Sequence, residues 1–271
     1  MYNFSKKISS LLIIIIVLTL VTPNNVKAEV ASIIDKSQLE KGIITITYEP
    51  KAGEVNKVQI VKDDVKYLYS LQNNNNRFPL SLGDGTYTIL VLKLVKGNSY
   101  SVIEQESVEL QLKNEEEPFL QSIQLINWNT NMDTVKKAKE LTKKSKTDLD
   151  KVTTIYKYVI NNISYDNAKA KSVKLDYIPV VDNVLDSSKG ICYDYASLVA
   201  AMLRSIGVPT KLVMGYNKSD ATTYHAWNQV YLADEGKWIT IDTTYDASSS
   251  SHSTTANMLK DAKKYSASKV Y

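Results

Sequence analysis

The fold of this chain is decided by residues 190–209, which have the sequence GICYDYASLVAAMLRSIGVP. Apolar and aromatic residues recur there at the spacing of one buried helical face, namely Tyr195, Leu198, Val199, Met202, Leu203 and Ile206. Gly207, followed by Pro209, is a helix stop signal. The pattern predicts one helix with Cys192 in its first turn, on the same inward face as Tyr195.

Cys192 is the only cysteine among the 271 residues, and its position indicates reactivity. The positive end of a helix stabilises a thiolate, which is the nucleophilic form of cysteine. A second interpretation is a small buried apolar side chain, because unpaired cysteines are among the most buried residues. The helix pattern leaves both interpretations open.

The first 28 residues predict a secretory signal peptide. Lys6 and Lys7 precede an apolar run at 11–21, and residues 26–28 offer small side chains at the positions that a signal peptidase reads. The run is too short to span a membrane comfortably. We expect cleavage before Glu29 and a secreted, extracellular protein, with cell-wall association as an open alternative and no membrane span after signal removal.

The charge balance gives no reason to expect a nucleic-acid partner. The chain has 33 Lys+Arg and 29 Asp+Glu, for a formal net charge of +4. Removing residues 1–28 takes away three lysines and no acidic residue, so the mature net charge falls to +1. A weakly charged chain lacks the electrostatic signature of a nucleic-acid-binding protein.

Residues 29–114 predict an all-β, sandwich-like module. Predicted strands cover 42–48, 55–61, 65–71, 78–82, 86–95 and 100–112, with turn signals such as Lys96-Gly97-Asn98-Ser99 between them. Short strands at this spacing favour a β-sandwich. The module contains neither histidine nor cysteine, so we interpret it as a spacer or binding module.

Residues 115–271 predict a second domain with helices packed on an antiparallel sheet, after a charged linker at 113–118. Periodicity predicts helices at 133–144 and 149–163, the latter after a capping sequence, Thr147-Asp148-Leu149-Asp150. Beyond the cysteine helix a period of two predicts strands at 211–216, 225–232 and 238–242. The expected fold class is therefore α+β.

His225 and Asp242 lie on two of these strands and join Cys192 as candidate base, orienting acid and nucleophile. A thiolate attacks an acyl carbon, and an imidazole takes the thiol proton and gives one to the leaving amine. A carboxylate fixes the imidazole tautomer. The other histidine, His252, lies in a serine-rich loop and is expected to be an exposed bystander.

The hairpin geometry decides whether His225 and Asp242 can meet. With a loop of two or four residues, Asp242 faces Trp227 and lies diagonally across from His225 on the same face of the sheet. An odd loop would put them on opposite faces unless a bulge corrects it. Two histidines and one cysteine give no zinc pattern, so we expect neither a metal nor a cofactor.

Five segments carry a further signal: Gly190-Ile191-Cys192-Tyr193-Asp194-Tyr195-Ala196, Gly207-Val208-Pro209, Val213-Met214-Gly215-Tyr216, His225-Ala226-Trp227-Asn228 and Trp238-Ile239-Thr240-Ile241-Asp242-Thr243-Thr244. In order, spacing and flanking residues they resemble the transglutaminase-like superfamily of papain-related cysteine enzymes. The resemblance covers about 123–246 and implies Cys192 as nucleophile, His225 as base and Asp242 as orienting residue. The length and the added β-module resemble bacterial secreted members.

The expected function is that of a secreted cysteine enzyme, acting on amide bonds of protein or cell-wall peptides through a thioester on Cys192. Transglutaminase-type amine transfer is the first alternative. A cysteine peptidase or deamidase with the same three residues is the second, and a non-catalytic cell-surface binding module is the third. An oxyanion hole requires two donors. The backbone N–H of Cys192 is the natural first donor, and Gln229 is one candidate for the second.

Overall fold

The computed structural model of the chain describes residues 32–72, 76–248 and 258–271, together with the backbone of one short strand at Ile15–Ile16. Apart from that strand, the predicted signal peptide 1–28 lies outside the described residues. The predicted mature start at Glu29 and the bystander His252 also lie outside them.

Strands dominate the first 110 residues. They are β1 (Ile15–Ile16), β2 (Ile34–Asp35), β3 (Ile43–Ile46), β4 (Asn56–Lys62), β5 (Val65–Ser70), β6 (Arg77–Pro79), β7 (Gly85–Lys96) and β8 (Ser99–Leu110). Each of the six predicted strands is found, with shifted ends, and β7 and β8 are neighbours across the predicted hairpin. The amino-terminal region is therefore β-rich, as predicted, and its sandwich-like packing stays a prediction.

The structure divides into two compact units that interleave along the chain. The first comprises Met1–Ile33, Tyr48–Asn73 and Thr86–Glu109, and its sheet has the order β1-β8-β7-β4-β5. The second comprises Ile34–Thr47, Asn74–Gly85 and Leu110–Tyr271. Strand periodicity does not show which sheet a strand joins. The sequence therefore predicts two consecutive domains, 29–114 and 115–271, whereas each compact unit contains several separate segments.

The second unit contains a small sheet with the order β2-β3-β6 and most of the helices. The elements after residue 110 are α1 (Asp133–Thr142), α2 (Asp148–Asn162), β9 (Ser164–Tyr165), α3 (Asn167–Ser172), α4 (Val181–Ser187), β10 (Lys189–Gly190), α5 (Cys192–Arg204), β11 (Thr210–Asn217), β12 (Asp220–Leu232), β13 (Lys237–Ile241), α6 (Thr243–Ser248), β14 (Leu259–Lys260) and β15 (Tyr265–Val270). The larger sheet is antiparallel with the order β14-β13-β12-β11-β15. The α+β prediction is confirmed.

The last residues of the predicted linker are packed. Glu117–Leu120 form a 3₁₀ helix in which Pro118 and Phe119 are buried. The Phe119 ring meets the Trp238 ring of β13 edge to face, with centroids 5.5 Å apart. The linker prediction is wrong there, because the apolar contacts of Phe119 outweigh the local charge run.

The capping sequence before α2 is confirmed. The Thr147 hydroxyl accepts from the Asp150 N–H at 3.1 Å, and the Asp150 carboxylate accepts from the Thr147 N–H at 3.3 Å. Asp150 thus takes the role that Glu more often has in a capping box. The helix then buries Val152, Ile155, Tyr156, Val159 and Ile160, as the predicted period requires.

Helix α5 forms the centre of the second unit. Nearly all of its side chains are buried, and the Asn228 Nδ2 of β12 donates to the Ala196 carbonyl at 2.9 Å. The predicted stop is confirmed: the helix ends at Arg204, and Gly207 takes a φ of +82°. This packing holds the amino terminus of α5 against the sheet strand that carries His225.

Arg204, at the end of α5, is 2% exposed and joins three segments of the second unit. Its guanidinium donates to the carbonyls of Thr210 at 2.8 Å, Gln121 at 2.7 Å and Tyr271 at 2.9 Å. Burial lowers the pKa of Arg204 to about 9. The carboxyl-terminal residue is therefore fixed to the core.

We expect Arg204→Met to lower the free energy of unfolding by about 3 kcal/mol, since it leaves three buried carbonyls without their charged donor. Urea unfolding followed by circular dichroism measures the change. The exposed Lys136→Met, which removes a surface ion pair with Asp133, is the control and should cost less than about 1 kcal/mol. Equal losses in the two variants would contradict the role given to Arg204.

No helix within the described ranges is both long enough and apolar enough to cross a membrane.

Candidate active site

The amino terminus of α5 is held by two short strands. Cys192 is the first residue of the helix and is half-buried. β9 and β10 pair in parallel, with Tyr165 opposite Gly190, and the Asp166 N–H donates to the Gly190 carbonyl at 2.9 Å. This pairing places Tyr165 beside the turn that leads into Cys192.

Asp194 caps the helix from its first turn. Its fully buried carboxylate accepts the Ile191 N–H at 2.8 Å and lies 2.7 Å from the Lys169 Nζ. The Tyr177 hydroxyl donates to its second oxygen. A side chain at Gly190 would lie 2.6 Å from the Asp194 Cβ, so this approach requires glycine. These contacts fix the backbone on both sides of Cys192.

The β12–β13 hairpin brings His225 and Asp242 together. Leu232 pairs with Lys237, so the loop has four residues, and Gly236 supplies its positive φ of +61°. The register, extended past the end of β13, puts Asp242 opposite Trp227, as the even-loop alternative predicts. The His225 Nε2 lies 2.8 Å from the Asp242 Oδ2.

Asp242 is fully buried and accepts further hydrogen bonds. The Tyr245 N–H donates to Oδ1 at 3.1 Å, and the Tyr265 hydroxyl donates to Oδ2 at 3.0 Å. A buried carboxyl group needs such hydrogen-bond donors to replace the water contacts that it loses on burial. These contacts therefore hold the Asp242 carboxyl group in a fixed position directly behind the imidazole.

The imidazole of His225 interacts with Asp242 and with Cys192. Burial lowers the pKa of His225, but hydrogen bonds and charge interactions with Asp242 and Cys192 outweigh burial and raise the pKa to about 10. Because Nε2 faces Asp242, Nδ1 is the nitrogen left for the thiol. At neutral pH the arrangement therefore favours an imidazolium next to the Cys192 sulfur.

A cavity of about 470 Å³ opens over Cys192. Its lining consists of hydroxyl-bearing side chains around the thiol and imidazole, namely Tyr165, Thr223, Tyr224, Thr244, Tyr245 and Ser248, with Cys192 and His225. Burial, and then the charge of Cys192, raise the pKa of Tyr165, so its phenol stays protonated. A substrate in this cavity would reach the sulfur and the imidazole together.

The structure thus brings Cys192, His225 and Asp242 into one site, while their catalytic roles stay a prediction. Gln229 is not among the cavity-lining residues, whereas Tyr165 is. Sequence reasoning missed Tyr165 and Asp194, although an acid in the first turn of a helix is a recognisable capping signal. Across the part of the chain that the structure describes, no cluster of His, Cys, Asp and Glu has the size and spacing to hold a metal ion.

A cysteine at a helix start lies here beside a histidine that is hydrogen-bonded to a buried carboxyl group. This arrangement is typical of sites in which the cysteine acts as a nucleophile. Residues 135–243 match the family described as the transglutaminase-like superfamily. Over that stretch of the chain, the resemblance predicted from the sequence is therefore confirmed.

Two curated relatives each align with part of this chain. A kyphoscoliosis peptidase of Homo sapiens is 33% identical over an alignment of 115 residues, and the alignment covers 39% of this chain and 17% of that protein. A protein-glutamine gamma-glutamyltransferase of Pseudomonas aeruginosa is 32% identical over an alignment of 77 residues, and the alignment covers 24% of this chain and 11% of that protein. The chain thus spans less than a fifth of either relative.

Among solved structures, a TGase crystal structure is similar at 24% identity and a TM-score of 0.35. The alignment covers 49% of this chain and 35% of that one.

Proposed function

We propose that this domain transfers the acyl group of a carboxamide, as in a glutamine side chain, to a primary amine through a thioester on Cys192. The observation that carries the proposal is the cavity over Cys192, His225 and Asp242. Of its described lining residues, His225 alone is a basic group and none is a carboxylate. An uncharged carboxamide can enter such a cavity without losing the solvation of a charge.

The first half of the reaction would proceed on the ion pair. The Cys192 thiolate attacks the carboxamide carbon, a C–S bond forms, and the carbonyl electron pair moves onto oxygen. The His225 imidazolium gives its Nδ1 proton to the departing nitrogen, the C–N bond breaks, and ammonia leaves. Asp242 stabilises the imidazolium until that proton is transferred.

The second half reverses these steps with a new nucleophile. A primary amine attacks the thioester and gives its proton to His225, and the C–S bond breaks. This step regenerates the thiolate and the imidazolium. Carboxamide and amine thus yield a substituted amide and ammonia. Water in place of the amine would give a carboxylic acid, which is the deamidase outcome.

The oxyanion formed in each half needs hydrogen-bond donors. The Cys192 N–H is one of the first amides of α5, which have no acceptor within the helix. The Tyr165 phenol, on the cavity wall beside the sulfur, is the second donor in this proposal. Such donors act on the charged intermediate and not on the thiol itself.

We expect Tyr165→Phe to lower the rate of acylation about a hundredfold. Alkylation of Cys192 by iodoacetamide should keep its rate, because that displacement forms no oxyanion. Single-turnover acylation and alkylation, measured on the same preparation, separate the two effects. Tyr231→Phe on β12 is the control. Unimpaired acylation, or an equal loss in both reactions, would contradict the role of Tyr165.

The competing outcomes are separated by one product analysis. A glutamine-containing peptide is incubated with the protein, with and without an isotopically labelled primary amine, and its mass is measured. Amine transfer predicts incorporation of the label, deamidation a gain of about 1 Da in both samples, and peptidase activity two shorter peptides. An unchanged peptide in all samples would favour a binding module.

The proposed site of action is outside the cell, on protein or cell-wall peptides. The charged start, apolar run and small residues of 1–28 support it, as does the hydroxyl-lined cavity that could take a peptide side chain. Expression of the full chain with mass analysis of the culture medium tests the proposal. A mature amino terminus at Glu29 is expected, and retention of residues 1–28 on an intracellular protein would contradict it.

A further inference from the structure

A tyrosine from the last strand reaches the carboxylate of the candidate site. The Tyr265 hydroxyl donates to the Asp242 Oδ2 at 3.0 Å, and the His225 Nε2 lies 2.8 Å from that same oxygen. Tyr265 is outside residues 135–243, the stretch that matches the superfamily. The carboxyl-terminal strand therefore adds a group to the site that the family match does not include.

A close strand approach puts Tyr265 there. Gly215 in β11 pairs with His225 on one side and with Ala267 of β15 on the other. A Cβ on Gly215 would lie 2.0 Å from the Ser266 carbonyl oxygen, so only glycine lets β15 come this near. The approach carries the Tyr265 hydroxyl to Asp242.

Aromatic packing fixes the orientation of the phenol. The Tyr265 ring packs on Trp227 with centroids 4.9 Å apart, and Trp227 is stacked with His225 at 6.2 Å. Trp227 is 2% exposed, so it forms a rigid surface for both rings. The phenol and the imidazole are thus held on one indole while they share one carboxylate oxygen.

The shared oxygen couples the phenol to the imidazole. A carboxylate stabilised by a second donor attracts the imidazolium proton less strongly. Burial, and then the charge of Asp242, raise the pKa of Tyr265, so the phenol remains a donor throughout the neutral range. Tyr265 can therefore modulate how tightly Asp242 holds the proton on His225.

Other titratable groups lie near this network, and none of them is altered by a substitution at Tyr265. They are Cys192 of α5, Tyr165 of β9, Tyr156 of α2, Tyr224 of β12, Tyr245 and Asp246 of α6 and Lys260 of β14. Lys260 and the Tyr156 hydroxyl both bind the Asp246 carboxylate, at 2.6 and 2.7 Å. The direct donor to the Asp242 oxygen that faces His225 is Tyr265.

We propose that Tyr265 is a positioning residue of the site, which orients the Asp242 carboxylate and limits its hold on the His225 proton. The effect on rate rests on the proposed acyl transfer, because that reaction requires His225 to give its proton to the leaving nitrogen. The effect on the titration of His225 stands without it.

Tyr265→Phe tests the inference while it keeps the ring against Trp227. We expect the NMR titration of His225, whose pKa is about 10, to move to higher pH by about half to one unit. The alkaline limb of the acylation profile should move in the same direction, and the rate should fall about tenfold. Tyr265→Leu also removes the donor and should shift the titration the same way.

Tyr231→Phe on β12 is the matched control, since the Tyr231 ring lies against Trp238 of β13, away from the contact between Tyr265 and Asp242. Rates are taken per folded molecule, with circular dichroism as the measure of folding. An unmoved or lowered His225 titration in folded Tyr265→Phe would overturn the inference. A wild-type protein that forms no thioester would instead refute the proposed function, and the titration would still decide the role of Tyr265.

Discussion

Cys192→Ala is expected to reduce thioester formation and amine transfer to background, a loss of about six orders of magnitude if acyl transfer is the reaction. In the proposed reaction the sulfur forms the covalent intermediate, and without it His225 and Asp242 would have no thiol to activate. The half-buried side chain loses only one atom, so the fold should persist. Release of ammonia from a glutamine peptide gives the rate.

Ser205→Ala, at the other end of the same helix, is the control for changes in α5. It should keep the activity of the unchanged protein. A folded Cys192→Ala protein that still releases ammonia at a comparable rate would mean that the reaction does not pass through this thiol.

Asp242→Asn is expected to lower single-turnover acylation by about 10⁴-fold. The amide keeps the shape of the carboxylate, but it cannot stabilise an imidazolium and favours the wrong tautomer of His225 at the 2.8 Å contact. The pKa of His225 should fall as well, because its hydrogen bond to Asp242 is a main cause of the raised value. A smaller fraction of His225 would then be protonated at neutral pH.

Stability must be separated from turnover in this variant, since Asp242 also accepts the Tyr245 N–H. Circular dichroism gives the folded fraction, and the rate is divided by it. The double variant Cys192→Ala/Asp242→Asn should be no less active than the single variant Cys192→Ala. The effects of substituting groups that act as a unit do not add up. A fully folded Asp242→Asn protein with near-normal acylation would leave His225 oriented by some other group.

Local patterns predicted the elements that carry the site. The 3.6-residue period and the Gly207 stop gave α5 with Cys192 at its start, and a period of two gave both strands of the hairpin. The face shared by His225 and Asp242 depended on loop length, and the four-residue loop settles it.

Contacts between segments that are far apart in the sequence could not be predicted, because they have no local sequence pattern. Tyr265 reaches Asp242 from 23 positions further along, through a strand whose approach depends on Gly215. Lys169 and Tyr177 meet Asp194 through a short helix and a loop that the sequence left unassigned. The division of the early strands between two units likewise depends on pairing, which hydrophobic periodicity does not encode.

The most direct test of a thioester on Cys192 is the intact mass of the protein after acid quench with a glutamine peptide and no added amine. The account predicts an adduct equal to the peptide minus ammonia, mapped to Cys192, removed by hydroxylamine, and absent from Cys192→Ala. An adduct on another residue, or product formation in the same quench series with no adduct at any time, would contradict it.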